Sequence, residues 1–359
     1  MVKIHSLIFG FDSKFRLEID ELAVKEGEIL GIIGPNGAGK TTLLHIIALH
    51  EKPRSGNIEL FGREVLSSKE FVNLRREMSY VFSEPYLLKG TVYDNVALPL
   101  RLRGLRDPER VREMLELFKI EHVRNTRASQ LSQGQRHRVA LARAFSSRPK
   151  LVLLDEPFAS LEEQYRETLI DSLRRAIKVT RSAAIFTTHD QEEALALADT
   201  IAVMREGRIV QTGSPDEIFT RPVSKEAAIF VGVRTILEGK ILDKADNLCS
   251  VKTGANSIEA VSELEKDDEV YICIRPEDVV VSKQRESSSA RNNFRGVITG
   301  IEPWKLAFKL NVDCGFSLVA SITRQSMEDM DLKIGREVYI SFKATALHLI
   351  KRDFAHDLI

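Results

Sequence analysis

The chain has 359 residues, which is longer than one typical hydrophobic core, so its length predicts two domains. Its hydrophobic content of 43% and its charged content of 29% are ordinary for a soluble globular protein. Lysine plus arginine and aspartate plus glutamate number 52 each, and this balance argues against a protein whose main task is to bind nucleic acid.

The positions of the cysteines and the lengths of the apolar runs restrict the class of protein further. Cys249, Cys273 and Cys314 lie far apart, which indicates neither a disulfide framework nor a zinc site. The first residues lack the pattern of a secretory signal, and no apolar run approaches the ~18 residues that span a bilayer. We therefore expect a cytoplasmic protein that reaches the membrane only through a partner.

The first chemical motif is a glycine-rich segment between a predicted strand, Glu28–Ile33, and a predicted helix. It fits the pattern GxxxxGK[ST], in which glycines let backbone N–H groups face one concavity and the helix N-terminus adds positive charge. Lys40 is placed to reach the β- and γ-phosphates, and the Thr41 hydroxyl to bind Mg²⁺. The predicted nucleotide contacts are Gly34, Pro35, Asn36, Gly37, Ala38, Gly39, Lys40, Thr41 and Thr42.

A second buried strand, Leu151–Leu154, ends in two carboxylates. An acidic residue at the end of a parallel strand near a phosphate loop is placed to hold Mg²⁺ through water, and this residue is Asp155. Glu156 lies one position further, where it would orient and deprotonate an attacking water. A solvated carboxylate is the alternative for Glu156.

A third strand, Ala183–Thr188, leads to His189. Asp190 and Glu193 predict a capping box for the helix that follows, Gln191–Asp199. That assignment leaves His189 to face the γ-phosphate.

A fourth segment, Leu131–Gln135, predicts another helix start. Ser132 and Gln135 fit an S-x-x-Q capping box for a helix over Gln133–Ala144. A helix N-terminus of this kind is also a second site for phosphate.

In this order, these segments resemble the Walker A, signature, Walker B and switch-histidine elements of ABC transporter ATPases, over about Val2–Gly232. The resemblance implies that Ser132 and Gly134 contact the γ-phosphate held by another subunit, so that two head-to-tail chains enclose two ATP molecules. It also implies that an aromatic residue stacks on adenine. Phe11 is the best match by spacing, with Phe9 and Phe15 as alternatives, and any of them could instead belong to the core.

The chain departs from the family after the stretch Met78–Phe82. The family normally has a glutamine there that helps to bind Mg²⁺, whereas this chain has Ser83 and no glutamine before Gln130. Ser83 is therefore the candidate metal ligand at this position, and Glu84 would reach the metal only through water.

Residues from about 84 to 130 predict a small helical subdomain. Asp107 and Pro108 are favoured at a helix start, and an apolar stripe at helical spacing follows them. By resemblance, the membrane permease would contact Pro85–Asn95.

The composition changes after Gly232, where short alternating runs replace helical periodicity and predict a small all-β, barrel-like domain. The predicted domains are therefore an α/β phosphate-loop ATPase at residues 1–235 and an oligonucleotide-fold-like regulatory domain at residues 236–359. Within it, Ser289–Asn292, Ser321–Thr323 and Phe342–Ala344 resemble stretches of the molybdate-binding barrel in molybdate and tungstate transport ATPases. Ser289, Arg291 and Lys343 have the chemistry to hold a tetrahedral dianion.

The main hypothesis is the ATP-hydrolysing subunit of an ABC importer for molybdate or tungstate, acting with ATP and Mg²⁺. It would work as a homodimer on the inner face of the membrane, with a separate permease and, indirectly, an extracytoplasmic binding protein, and without nucleic acid. The alternatives are an import ATPase for a sugar, ferric iron or a polyamine, and a non-transport oxyanion-sensing ABC protein. A non-transport ABC ATPase of translation or DNA repair is disfavoured because the chain has one Walker A motif and no long coiled coil.

Overall fold

The computed structural model describes residues 1–10, 15–65, 68–159, 163–285, 288–304 and 306–352. The chain divides into two compact units after Ile218. The sequence placed the end of the first domain at residue 235.

The described strands of the first unit are β1 (Val2–Phe9), β2 (Leu17–Val24), β3 (Ile29–Ile33), β4 (Ser55–Leu60), β5 (Arg63–Glu64), β6 (Met78–Val81), β7 (Leu151–Asp155), β8 (Ala183–Thr188), β9 (Thr200–Arg205) and β10 (Arg208–Gly213). Its described helices are α1 (Lys40–Ile47), α2 (Ser68–Arg76), α3 (Val92–Leu102), α4 (Pro108–Leu117), α5 (Gln133–Ser146), α6 (Glu163–Thr180), α7 (Gln191–Leu197) and α8 (Pro215–Thr220), the last of which crosses the division.

A six-stranded sheet in the order β10-β9-β3-β8-β7-β6 forms the centre of this unit. All its pairs are parallel except β10 with β9. Every residue of β3, β7 and β8 is buried, as expected for parallel strands that are covered on both faces. Because Ile33 pairs with Thr188 and Asp155 with Thr187, the carboxyl ends of these three strands meet at one edge.

A smaller antiparallel sheet, in the order β2-β1-β4-β5, completes the core of the unit. Buried side chains of β1, β2 and α1 share one hydrophobic cluster with residues of the central sheet. The helix α1, which carries the phosphate loop at its start, is therefore fixed between the two sheets.

In the helical subdomain, α4 begins where the sequence predicts a helix start. Asp107 caps α4 by accepting a hydrogen bond from the Arg110 amide, and Pro108 is the first helical residue. The predicted apolar stripe is buried, and it consists of Val111, Met114, Leu115 and Phe118. The helices α3 and α4 pack against α5. Among the described helices, none has the length and apolar character to cross a membrane.

The second unit consists mainly of strands, as predicted. They are β11 (Thr235–Ala245), β12 (Leu248–Thr253), β13 (Asn256–Val261), β14 (Glu269–Ile274), β15 (Val280–Ser282), β16 (Asn292–Trp304), β17 (Ala307–Asp313), β18 (Ser317–Ile322), β19 (Glu337–Phe342) and β20 (His348–Lys351), with the short helices α9 (Lys225–Phe230) and α10 (Arg324–Asp329). They form two antiparallel sheets, β13-β12-β11-β14-β20 and β15-β19-β16-β17-β18, around one shared apolar core.

The imidazole of His137 is fully buried in α5, and neither ring nitrogen has a hydrogen-bond partner in the described part of the chain. Burial lowers its pKa from 6.5 to about 4. Since the unfolded chain binds the proton more readily, stability should fall as the pH drops from about 6.5 towards 4.

We expect the free energy of unfolding to fall by about 2 kcal/mol between pH 7 and pH 5 because of His137. Denaturant titrations at both pH values measure it, and His137→Gln should remove that part of the pH dependence. The exposed-site control His122→Gln should keep it. An unchanged pH dependence in His137→Gln would contradict the assignment.

Candidate functional site

The phosphate loop leads from β3 into α1 through glycines that no other residue can replace without a backbone change. A Cβ on Gly34 would lie 2.1 Å from the Met204 carbonyl oxygen. Gly39 precedes the first helical residue with a φ of 101°, a conformation that favours glycine. Because glycine has no side chain to cap the helix, Gly39 leaves the amides of the first turn for an anion.

Lys40 lies inside this loop, with only 6% of the residue exposed. Its ammonium group donates hydrogen bonds to the carbonyl oxygens of Gly34, at 2.8 Å, and Pro35, at 3.0 Å. Burial lowers the pKa of Lys40, and the nearby Glu156 and Asp155 carboxylates oppose that change. The cation is therefore held against the loop, where the β- and γ-phosphates of a nucleotide would lie.

The Asp155 carboxylate is the centre of the site and is buried. Its Oδ1 accepts hydrogen bonds from the hydroxyls of Thr41, at 3.0 Å, and Thr187, at 2.7 Å. The Tyr80 hydroxyl lies 3.5 Å from Oδ2, which is long for a hydrogen bond between oxygens. Burial and then the Asp155 charge raise the pKa of Tyr80, so its phenol stays protonated and can act as a donor.

These donors fit Mg²⁺, which prefers oxygen ligands and is usually held by one or two carboxylates together with phosphate oxygens. The hydroxyl of Thr41 and the carboxylate of Asp155 already face each other across the end of the sheet. No group of three or more histidine, cysteine or acidic side chains suited to a metal exists among the described residues. Thr41 and Asp155 supply two oxygen ligands, and phosphate oxygens of a nucleotide would supply others.

Glu156 and His189 lie side by side beyond the strand ends. The Nδ1 of His189 is 3.5 Å from Oε1 of Glu156, and 56% of the histidine side chain is exposed. Glu156 has a φ of 44°, which is uncommon for a residue other than glycine, and its amide donates to Thr187 Oγ1 at 3.0 Å. Thr187 therefore fixes both carboxylate residues, Asp155 through its side chain and Glu156 through its backbone.

The capping box predicted at Asp190 is only half correct. Asp190 does cap α7, because its Oδ1 accepts from the amides of Glu192 and Glu193. The Glu193 carboxylate, however, accepts a hydrogen bond from the Thr188 hydroxyl, while the Asp190 amide donates to that same hydroxyl. The helix also ends at Leu197 and not at Asp199, whose carboxylate accepts from the Ile29 amide at 2.9 Å.

Arg166 of α6 forms ion pairs with the segment that follows His189. Its guanidinium lies 2.9 Å from Asp190 Oδ2 and 3.4 Å from Glu193 Oε1. Burial raises the pKa of Glu193, so a nearby cation helps to keep this carboxylate ionised.

The signature segment forms the predicted capping box. The Ser132 hydroxyl accepts from the Gln135 amide at 3.3 Å, and the Gln135 side chain accepts from the Ser132 amide at 3.0 Å. Ser132 is exposed and Gly134 is half-buried at the start of α5, which runs two residues further than predicted, to Ser146.

Of the residues predicted to hold the metal, Thr41 and Asp155 are joined by a hydrogen bond. Ser83 follows β6, next to the strand that carries Asp155, but within the described residues it makes no hydrogen bond to this carboxylate. Sequence reasoning missed Thr187, Tyr80 and Arg166. The only available signal was that Thr187 and Tyr80 belong to strands adjacent to β7.

Two of the three aromatic candidates for stacking on adenine, Phe9 and Phe15, lie in the described part of the chain. Phe9 is 5% exposed and belongs to the hydrophobic core. Phe15 packs partly buried against that core, and a Cβ on Gly39 would lie 3.1 Å from its ring. Phe11, the best match by spacing, lies outside the described residues.

The loop predicted to contact a permease has an exposed part and a buried anchor. Tyr86 and Leu88 are 74% and 42% exposed. Asn95 is buried, and its side-chain amide exchanges hydrogen bonds with the backbone of Leu88 and donates to the Thr91 carbonyl oxygen. Asn95 therefore shapes the loop and is not itself on the surface.

In the second unit, the candidate anion residues lie at one end of a strand pair. Asn292 of β16 pairs with Phe342 of β19, so Arg291 and Lys343 extend the two strands at the same end. Ser289, Arg291 and Lys343 are all exposed. The Arg291 guanidinium forms an ion pair with the Glu259 carboxylate at 3.1 Å. An anion that binds Arg291 would have to displace this carboxylate.

Two protein-family profiles match this chain, and they cover separate parts of it. The profile of the ABC transporter family matches residues 17–159, and that of the TOBE domain matches residues 288–349. The molybdate/tungstate import ATP-binding protein WtpC of Pyrococcus horikoshii is 38% identical over 354 residues, which is 97% of this chain and 99% of that protein.

Proteins named for other cargoes are similar to a comparable degree. The spermidine/putrescine import ATP-binding protein PotA of Thermotoga maritima is 37% identical over 83% of this chain and 82% of its own. The sulfate/thiosulfate import ATP-binding protein CysA of Thermosynechococcus vestitus is 32% identical over 94% and 95%. A dimeric ATP-binding cassette, solved with ADP and Pi in a post-hydrolysis state, superposes with a TM-score of 0.54 at 28% identity, covering 60% of this chain and 99% of that one.

The chain belongs to the ABC transporter family. It is an ABC-type ATPase. Its second unit contains a TOBE domain.

Removing the Thr187 hydroxyl by Thr187→Val should slow ATP turnover about tenfold or more, because Asp155 loses a buried donor and the Glu156 amide loses its acceptor. Steady-state ATPase assays measure the rate, and nucleotide binding without Mg²⁺ should change by less than about twofold. Thr187→Ser, which keeps the hydroxyl, is the matched control. Equal rates in Thr187→Val and the unmodified protein would show that this hydrogen bond has no role in turnover.

Proposed function

We propose that this chain powers the import of molybdate or tungstate through a separate membrane permease. The similarity to a molybdate/tungstate import protein, 38% identity over nearly the full length of both chains, is the observation that carries the proposal. The basic pair Arg291 and Lys343 at one end of a strand pair supports an oxyanion as the regulatory ligand.

In the proposed catalytic site, Asp155 and Thr41 hold Mg²⁺, and Lys40 neutralises the charge of the β- and γ-phosphates. Mg²⁺ supplies electrostatic stabilisation of the charge that develops on the phosphates. Glu156 orients the attacking water and accepts its proton. His189, 3.5 Å from Glu156, faces the γ-phosphate. This assignment gives each polar group at the strand ends a distinct role.

The active form would be a homodimer in which Ser132 and Gly134 of one chain contact the nucleotide of the other. Both residues start a helix whose N-terminus suits an anion, and Ser132 is exposed within its own chain. The similarity to a dimeric cassette bound to ADP and Pi supports this arrangement.

The permease would contact the loop at Pro85–Asn95, whose exposed side chains include Tyr86 and Leu88. Such a protein is expected in the cytoplasm, against the inner face of the membrane. A solute-binding protein on the other side would deliver the cargo to the permease.

The second candidate is import of a polyamine, favoured by the 37% identity to the spermidine/putrescine protein. A cationic cargo would give no reason for a basic pair at Arg291 and Lys343. For this reason we favour an oxyanion.

Replacing the proposed general base by Glu156→Gln should lower ATP turnover at least about 100-fold, because general-base catalysis typically contributes 10²–10⁴-fold. ATP binding should persist, and light scattering should detect an ATP-dependent dimer. Glu206→Gln is a control, since Glu206 is an exposed glutamate that also has a positive φ, of 48°. Turnover near the unmodified rate would exclude Glu156 as the base.

For the anion site, calorimetric titration of the full chain with tungstate, molybdate and sulfate should give saturable binding of the first two. Arg291→Ala or Lys343→Ala should abolish it, because each removes a cation from the site. Glu259→Gln should strengthen binding, because it frees the Arg291 guanidinium from its ion pair.

The matched control for this titration is Arg295→Ala, which removes an exposed, ion-paired arginine of β16. It should leave binding unchanged. Binding of sulfate as tight as that of molybdate would favour a sulfate importer, and no binding of any anion would overturn the regulatory site.

A further inference from the structure

The Asp155 carboxylate has different donors on its two oxygens. Oδ1 is shared by the hydroxyls of Thr41 and Thr187, at 3.0 and 2.7 Å. Oδ2 faces the Tyr80 hydroxyl at 3.5 Å. If Mg²⁺ binds between Thr41 and Asp155, the Thr41 hydroxyl must turn from Oδ1 to the metal, so the donors that remain on the carboxylate are Thr187 and Tyr80.

The Tyr80 ring is held by a cluster of aromatic side chains on one face of the sheet. The ring centroid of Phe82, the residue that follows β6, is 4.5 Å away. Those of His45 and His50 are 5.5 and 5.6 Å away. His45 belongs to α1, the helix that also carries Thr41. A tyrosine ring has few rotatable bonds, so this packing also fixes where its hydroxyl lies.

Packing alone does not account for the hydroxyl of Tyr80. A phenylalanine would fill the same space among Phe82, His45 and His50, without an oxygen that must be desolvated. A half-buried phenol is retained at low cost only where it has a polar partner, and the partner here is Asp155.

We propose that Tyr80 is a positioning residue for the divalent metal: its hydroxyl orients Asp155 through Oδ2, so that Oδ1 is presented to the metal beside Thr41. This inference rests on the proposed role of Asp155 in holding Mg²⁺. It assigns a function to a residue outside the Walker A, signature, Walker B and switch-histidine segments. Groups that orient a metal-ligating side chain typically contribute 10–100-fold to metal affinity.

The test is Tyr80→Phe, which keeps the ring and removes the hydroxyl. The measurement is Mn²⁺ affinity of the full chain with saturating ADP, by electron paramagnetic resonance of free Mn²⁺. We expect the dissociation constant for Mn²⁺ to rise about tenfold, at the lower end of the usual range because the contact is long. Metal-free ADP affinity and the melting temperature should stay close to the unmodified values, which separates positioning from a loss of packing.

Tyr165→Phe is the matched control, because Tyr165 is 49% exposed and belongs to α6. It should not change Mn²⁺ affinity. An unchanged Mn²⁺ dissociation constant in Tyr80→Phe would overturn the proposal, and so would an equal loss of metal-free ADP binding.

Asp155→Asn distinguishes this inference from the proposed function on which it rests. If Asp155→Asn abolishes Mn²⁺ binding while Tyr80→Phe leaves it intact, only the role of Tyr80 is wrong. If Asp155→Asn also leaves Mn²⁺ binding intact, the proposed metal site itself is wrong.

Discussion

The parallel register of β3, β7 and β8 is the constraint on which the nucleotide site depends. Parallel strands end at the same edge of a sheet, and here the pairs Ile33–Thr188 and Asp155–Thr187 align those ends. The phosphate loop precedes the carboxylates by more than a hundred residues, and His189 follows Glu156 by 33 residues. Their proximity follows from backbone hydrogen bonds between completely buried strands, so regular secondary structure positions the site.

Asp155 then connects the parts of this edge. Its carboxylate accepts hydroxyls from α1 and β8, and faces the hydroxyl of Tyr80 on β6. Thr187 continues the network to the Glu156 amide, and Arg166 fixes the loop after His189. A buried carboxylate is costly unless polar groups surround it, so the hydroxyls that donate to Asp155 make its burial tolerable.

The second unit has a different design. Two antiparallel sheets share an apolar core, and the candidate anion residues are exposed at the end of β16 and β19. Arg291 already has a carboxylate partner in Glu259. An anion would therefore bind by exchanging one ion pair for another, which makes affinity sensitive to both the charge and the geometry of the ligand.

The sequence by itself determined the elements and the chemical groups. Motif spacing identified Lys40, Thr41, Asp155 and the signature helix start. Glycine conformation and helix capping depend on residues that are close together in the chain, so the sequence reveals them directly. The tertiary structure alone decided which hydroxyls face Asp155 and that the Glu193 carboxylate pairs with Thr188 and not with the Asp190 amide. These contacts join residues on different strands or select between two nearby donors, and their distances depend on strand register and burial, which a one-dimensional pattern does not specify.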